Sequence, residues 1–204
     1  MINAPRMLLV GATGRNAGKT ALATALIRRF SGQVPIIGAK VTAIAERDGQ
    51  CPRGGQGCGV CSSLDGDYCI TREMEGAETK DTQRLLTAGA QKVYWLRVLK
   101  THIEKGARAL MKEIGRNAWV VCESNSLRTV LNPGLFIMVS APSAVNLKPS
   151  AKQVRDKVDI FITFDGNRFD FDLNNITLTE KGWRSRPTSP KSASTPTASV
   201  IRKA

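Results

Sequence analysis

The feature that most constrains the fold is the decapeptide GATGRNAGKT at residues 11–20. It follows the apolar run MLLV at residues 7–10 and precedes a segment in which Leu22, Leu26 and Phe30 recur at helical spacing. The predicted order is a strand, a glycine-rich turn and a helix. Such a turn points backbone N–H groups and the positive end of a helix dipole at one place, where they can hold a polyphosphate.

Residues 11–20, called the phosphate loop below, therefore predict a nucleotide-phosphate site. Lys19 would reach the β- and γ-phosphates, and the Thr20 hydroxyl would ligate Mg²⁺. The pattern G-x-x-x-x-G-K-[ST] has Thr13 at its first glycine, with Gly11 and Gly14 on either side. The alternative interpretation is a structural strand–helix turn. The predicted phosphate contacts are Gly14, Arg15, Asn16, Ala17, Gly18, Lys19, Thr20 and Ala21.

Strand-like and helix-like segments alternate through the chain after this loop. The predicted strands are at residues 35–45, 92–98, 118–123, 135–141 and 160–164, and the predicted helices are at 80–90, 101–114 and 150–158. This repeated order predicts an α/β fold with a mostly parallel sheet and helices on both faces, as in a P-loop NTPase. Ligands of such sheets bind at the carboxyl ends of the strands, where Lys40, Glu123 and the loop after Ala141 fall.

Composition divides the chain into further segments. Residues 46–78 are rich in Gly, Asp, Arg and Cys and have no apolar period, which predicts an insertion carried outside the core. Residues 185–204 consist mainly of Ser, Thr, Pro, Ala and basic residues, which predicts a disordered basic tail. The interrupted nucleotide-binding domain is expected at residues 5–166, and a C-terminal extension at 167–184.

Two carboxylates are candidate catalytic groups beside Lys19. Glu123 ends the buried strand AWVVCE, so its carboxylate can hold Mg²⁺ or orient an attacking hydroxyl, unless it simply meets solvent at the strand end. Asp81 and Arg84 lie three residues apart and share a helix face. They are either a switch or substrate-phosphate contact, or a helix cap with an ordinary ion pair.

Three blocks of sequence resemble the MobB family, small GTP-binding proteins of the SIMIBI class associated with molybdopterin guanine dinucleotide synthesis. They are Gly18-Lys19-Thr20, the K-D-[ST]-x-R-x-x-x-A-G-A pattern at residues 80–90, and the hydrophobic strand that ends in Glu123. Lys40 is similar to a lysine found at the end of the second strand in this family. The resemblance covers residues 5–165 and leaves the cysteine-rich segment and the tail outside.

The resemblance implies a nucleotide-binding protein, with GTP favoured over ATP, that hydrolyses its nucleotide slowly. It also implies a dimer that acts as an adaptor or switch for a protein client in molybdenum-cofactor or another metallocofactor biosynthesis. Asn146 and Lys148 follow the predicted strand at residues 135–141, where related proteins place guanine-reading residues. The alternative is a loop and a helix cap. A nucleotide-gated metal-binding or metal-sensing protein and a small-molecule kinase remain alternative functions.

Four cysteines form a second motif, C-x6-C-x2-C-x7-C, at Cys51, Cys58, Cys61 and Cys69. Thiolates at this spacing can complete a four-sulfur set for Zn²⁺ or an iron–sulfur cluster. A metal would also supply order to a segment without an apolar core. Dithiol redox chemistry and unpaired surface thiols are the alternatives.

Charge and hydropathy exclude some classes of protein. The chain has 30 Lys and Arg against 17 Asp and Glu, but aromatic residues make up only 5% and do not interleave with the basic ones, which disfavours nucleic acid and favours a phosphate-rich ligand. No apolar run approaches the roughly 20 residues of a bilayer-spanning helix, and the first residues do not resemble a signal peptide. We therefore expect a cytoplasmic protein without a membrane partner.

Overall fold

The computed structural model describes residues 1–45, 64, 66–73, 81–142 and 146–186. Its strands are β1 (Ile2–Ala12), β2 (Ile36–Ile44), β3 (Tyr68–Glu73), β4 (Lys92–Leu99), β5 (Trp119–Glu123), β6 (Leu131–Ser140), β7 (Ile160–Thr163), β8 (Ile176–Thr179) and β9 (Gly182–Ser185). Its α-helices are α1 (Lys19–Phe30), α2 (Asp81–Thr87), α3 (Ile103–Ile114) and α4 (Pro149–Lys152). Short 3-10 turns occupy Lys100–His102, Ser126–Thr129, Arg155–Lys157 and Leu173–Asn175.

In the described part of the chain, seven strands form one sheet in the order β3-β4-β2-β5-β1-β6-β7. Every neighbouring pair is parallel except β3 with β4, which is antiparallel. The predicted α/β fold with a mostly parallel sheet is therefore confirmed. The parallel strands all point their carboxyl ends to one edge, and the phosphate loop leaves β1 at that edge.

The central strand β1 explains the layered arrangement. Its residues from Met7 to Ala12 are all buried, so it carries a continuous apolar run rather than an alternating one. Met7 and Leu9 pack into a core shared with α3, whereas Leu8 and Val10 pack into a second core shared with α1 and α2. The helices therefore lie on both faces of the sheet, as the alternation of strands and helices predicts.

Part of the segment predicted to lie outside the core belongs to the sheet. The strand β3 pairs along its length with β4, from Tyr68 opposite Val98 to Glu73 opposite Val93. The reason is local, because Tyr68 and Ile70 alternate along the strand and both pack against the core. The other residues of the predicted insertion are outside the described residues, except 64, 66 and 67.

The predicted helix at residues 150–158 is shorter in the structure. The helix α4 is a single turn, and the chain then tightens into the 3-10 turn at Arg155–Lys157. Two hydrogen bonds return the chain to the sheet at this point: Asp159 N donates to Phe136 O at 3.0 Å, and Phe136 N donates to Asp159 Oδ2 at 2.7 Å. This pairing leaves no room for another helical turn before β7 begins.

The end of the C-terminal extension packs against the amino-terminal part of β1, at the opposite end of that strand from the phosphate loop. The hairpin of β8 and β9 places Trp183 in the core with no exposed surface. The Trp183 ring meets Phe30 and Trp119 edge to face at 4.9 and 5.6 Å, and its Nε1 donates to Arg6 O at 2.9 Å. Ser185 ends β9, so the structured chain extends slightly past the predicted start of the tail, and residues 187–204 of that tail lie outside the described residues.

None of the helices in the described ranges is long and apolar enough to span a bilayer.

Candidate functional site

The phosphate loop makes a compact turn between β1 and α1. Gly18 caps the helix with a φ of 91°, and Asn16 also has a positive φ, of 54°. A Cβ at position 18 would lie 2.3 Å from Cδ1 of Phe164, so glycine is required there for both conformation and space. The resulting turn presents the first turn of a twelve-residue helix to the cleft, as the sequence predicts.

The strand register brings the predicted side chains into one row. Val10 of β1 lies opposite Glu123 of β5, Glu123 opposite Lys40 of β2, and Lys40 opposite Trp95 of β4. Because these strands are parallel and adjacent, groups that are far apart in the sequence converge beside the phosphate loop. This confirms that Glu123 and Lys40 share the sheet edge from which the loop leaves β1.

Glu123 lies at the base of the loop with its side chain completely buried. Its Oε2 accepts a hydrogen bond from the Thr20 hydroxyl at 3.3 Å, and Lys19 Nζ lies 3.8 Å from the same oxygen. Its Oε1 is buried and has no hydrogen-bond partner among the described residues. Burial raises the pKa of Glu123 above its usual value, although the charges of Lys19 and Lys40 oppose this effect.

Lys40 and Asp81 form an ion pair beside this group, with 2.5 Å between Nζ and Oδ2. Partial burial tends to raise the pKa of Asp81, but the hydrogen bond and charge of Lys40 outweigh it and hold the pKa below its usual value. The Lys40 ammonium also lies 6.0 Å from the centre of the Trp95 ring. Asp81 is therefore an ionised, paired carboxylate at neutral pH.

Lys40 and Asp81 line a cleft of about 650 Å³, which is within the usual range for small-molecule sites. The cleft is lined by Ala12, Gly14, Arg15, Asn16, Ala17, Gly18, Lys19, Thr20, Ala21, Lys40, Asp81, Arg84, Lys148 and Phe164. Lys148 is held there because its backbone N–H donates to Thr13 O at 2.9 Å. Asn146, the other predicted base-reading residue, is exposed and is not among the lining residues.

The chemistry of the oxygens at the base of the cleft fits a magnesium ion. The Thr20 hydroxyl and Glu123 Oε1 are oxygen donors, which this small, hard cation prefers. Within the described ranges Glu123 Oε1 is also a buried acceptor without a partner, and such atoms are rare in folded proteins unless an ion or water completes them. The two residues predicted to hold Mg²⁺ are therefore in contact with each other and offer a free ligand atom.

Asn125 and Phe164 are site residues that the sequence did not predict. The Asn125 carboxamide accepts from Ala12 N at 2.8 Å and donates to Ala12 O at 2.9 Å, so it fixes the start of the phosphate loop. It is buried and lies two residues after Glu123. The polar run Ser-Asn-Ser after a buried strand is the signal that could have found it. Phe164 follows β7 and packs on Gly18, which the sequence pattern does not indicate.

The predicted four-cysteine metal site lies mostly outside the described residues. Cys51, Cys58 and Cys61 are not described, and Cys69 lies on β3, where its Sγ accepts a hydrogen bond from Arg97 Nη2 at 3.1 Å. Within the part of the chain that the structure describes, no three His, Cys, Asp or Glu side chains are grouped to hold a metal. The zinc or iron–sulfur site remains a prediction. The fifth cysteine, Cys122, is a core thiol whose pKa is raised by burial.

Comparison of the chain with protein-family models, with curated proteins and with solved structures finds no match in any of the three.

Proposed function

We propose that this protein binds a nucleoside triphosphate with Mg²⁺ and hydrolyses it slowly, as a switch in metallocofactor biosynthesis. The observation that carries the proposal is the buried Oε1 of Glu123, which lies beside Thr20 and Lys19 and has no partner in the part of the chain that the structure describes. A carboxylate oxygen removed from water without a partner is destabilising. A cation bound at the base of the phosphate loop would supply the missing interaction.

The residues of the cleft have separate roles in this proposal. The loop N–H groups and Lys19 hold the phosphates, while the Thr20 hydroxyl and Glu123 hold the Mg²⁺. When bound, Mg²⁺ neutralises charge that develops on the phosphate oxygens. Asn125 fixes the loop through both backbone groups of Ala12, so the N–H groups are positioned before the nucleotide arrives.

Slow hydrolysis is consistent with the ionised, paired state of Asp81. A general base works best when its pKa is close to the ambient pH, but Lys40 holds the pKa of Asp81 below its usual value. Asp81 in this pairing is a weak base toward water.

The narrower parts of the proposal are supported by the resemblance to the MobB family. They are the preference for GTP over ATP, the protein client in molybdenum-cofactor or another metallocofactor pathway, and the homodimer. The cysteine quartet supports a metallocofactor pathway if it binds Zn²⁺ or an iron–sulfur cluster, since the protein would then respond to a metal as well as to a nucleotide.

Nucleotide binding by a Lys19→Ala variant tests the proposal. Calorimetric titration with GTP or ATP in the presence of Mg²⁺ is expected to show at least about a tenfold weaker affinity than for the wild type. Lys112→Ala is the matched control, because Lys112 is an exposed lysine on α3. Circular dichroism checks that both variants fold. Unchanged nucleotide affinity in folded Lys19→Ala protein would show that the proposal is wrong.

A further inference from the structure

The cleft extends beyond the phosphate loop into a second half formed by Lys40, Asp81 and Arg84. Lys40 is two strands away from β1 in the row that runs through Glu123. Neighbouring strands lie about 4.8 Å apart, so the backbone of Lys40 lies on the order of 10 Å from that of β1. This half adjoins the predicted phosphate site but is spatially separate from it.

Lys40 is a cation held in place by its surroundings. Its side chain is only 22% exposed, and it is fixed between the Asp81 carboxylate and the face of Trp95. Trp95 is itself fixed, because its Nε1 donates to the Thr42 hydroxyl at 3.0 Å. A positioned ammonium loses less side-chain entropy when it binds an anion than a mobile surface lysine does.

Arg84 gives this half of the cleft an excess of positive charge. It lines the cleft from an exposed position on α2, and its charge contributes to the lowered pKa of Asp81. Among the described residues that line the cleft, Lys40 and Arg84 therefore face one carboxylate, that of Asp81. The phosphate-loop half has its own cations for a triphosphate, which are Arg15, Lys19 and Lys148.

We propose that Lys40 and Arg84 form a subsite for the carboxylate or phosphate group of a second small-molecule ligand, which binds beside the nucleotide. This inference rests on the proposed nucleotide site. The planar guanidinium of Arg84 can donate two parallel hydrogen bonds to an oxyanion, and Lys40 supplies a fixed charge from the sheet edge. The cleft is then a site for two ligands, and Asp81 lies between them.

Anion binding to the full-length protein saturated with Mg²⁺ and a non-hydrolysable GTP analogue tests the subsite. Calorimetric titrations use inorganic phosphate in one series and succinate in the other, which separates a phosphate ligand from a carboxylate ligand. Saturable binding of at least one anion at one site per chain is expected. Arg84→Gln should weaken that binding by about tenfold or more, a larger change than its effect on affinity for the analogue. Arg108→Gln is the matched control, because Arg108 lies on α3 and pairs with Glu104.

The outcomes distinguish the inference from the proposed function. If the wild type binds neither this analogue nor the corresponding ATP analogue, both the proposed function and the two-ligand cleft are refuted. If the analogue binds but neither anion does, only the subsite is refuted. Equal weakening by Arg84→Gln and Arg108→Gln would also refute it, since that result would assign the effect to overall charge.

Discussion

Replacing Glu123 by glutamine separates the stability of the ligand-free protein from its ability to bind Mg²⁺. The substitution keeps the shape of the side chain and leaves an oxygen to accept the hydrogen bond from Thr20. It replaces a buried carboxylate by a neutral amide whose N–H donors take the place of the unpartnered oxygen, so it removes only the cost of burying the charge, about 1–3 kcal/mol. It also removes the ion pair with the partly exposed Lys19, which contributes about 1 kcal/mol or less.

The expected net result is a ligand-free variant that is more stable than the wild type by about 1 kcal/mol, with a Tm higher by about 2–4 °C. The sign depends on pH. Because burial raises the pKa of Glu123, the native state holds this proton more tightly than the unfolded chain does, and wild-type stability falls as pH rises from about 4.3 through the native pKa. The advantage of Glu123→Gln should therefore be smallest near about pH 4 and largest above the raised pKa.

Urea unfolding with and without Mg²⁺ and GTP measures both effects. A ligand at 100 times its Kd stabilises the native state by about 2.7 kcal/mol, and the variant should lose most of the magnesium-dependent part of this gain. Glu104→Gln is the control, because Glu104 is an exposed carboxylate on α3. A Glu123→Gln protein that is less stable than the wild type near neutral pH, but is stabilised normally by Mg²⁺ and GTP, would refute the reasoning.

Three further outcomes are expected. Gly18→Ala should lower the free energy of unfolding in urea by about 1–2 kcal/mol or more, because position 18 has a positive φ and is closely packed. Gly14→Ala is the control and should change it by less than about 0.5 kcal/mol, because there is open space around the Cβ position. Equal losses in the two variants would contradict this prediction. Trp183→Ala should lower stability by about 3–5 kcal/mol but leave the nucleotide Kd unchanged below its Tm, and a weakened Kd in folded protein would show that the hairpin acts on the site. Elemental analysis of protein purified without oxygen should find Zn²⁺, or iron with sulfide. The metal should be missing from a Cys58→Ala/Cys61→Ala variant. A wild-type protein without metal would show that the predicted metal site is wrong.

The sequence predicts those parts of the fold that local patterns determine. The apolar runs around Leu9 and Val121 are buried on both sheet faces, so they are recognisable as central parallel strands without knowledge of their partners. Parallel strands end at one edge, and this rule alone brings Lys40 and Glu123 together. The site was therefore predictable to the extent that it depends on strand ends and on one turn motif.

Contacts between distant segments could not be predicted in this way. The pairing of Asn125 with Ala12 joins residues 113 positions apart, and an asparagine after a strand looks the same whether it faces solvent or a backbone. The strand β3 was not predicted, because its short alternating run lies in a segment rich in Gly and Cys. The packing of Phe164 on Gly18 and the charge balance around Asp81 also depend on tertiary placement.

The position of Trp183 has a consequence for the order in which the protein is completed during translation. The strand β1 is made first, but its neighbours β5 and β6 end at residues 123 and 140, and Trp183 covers its amino-terminal end last. At about 5–20 residues per second, roughly 10–30 s pass between the synthesis of β1 and the synthesis of the hairpin of β8 and β9. Arrested nascent chains that end before residue 183 should therefore be cut more readily by protease than longer ones, and the first strand is the segment that a chaperone would need to shield.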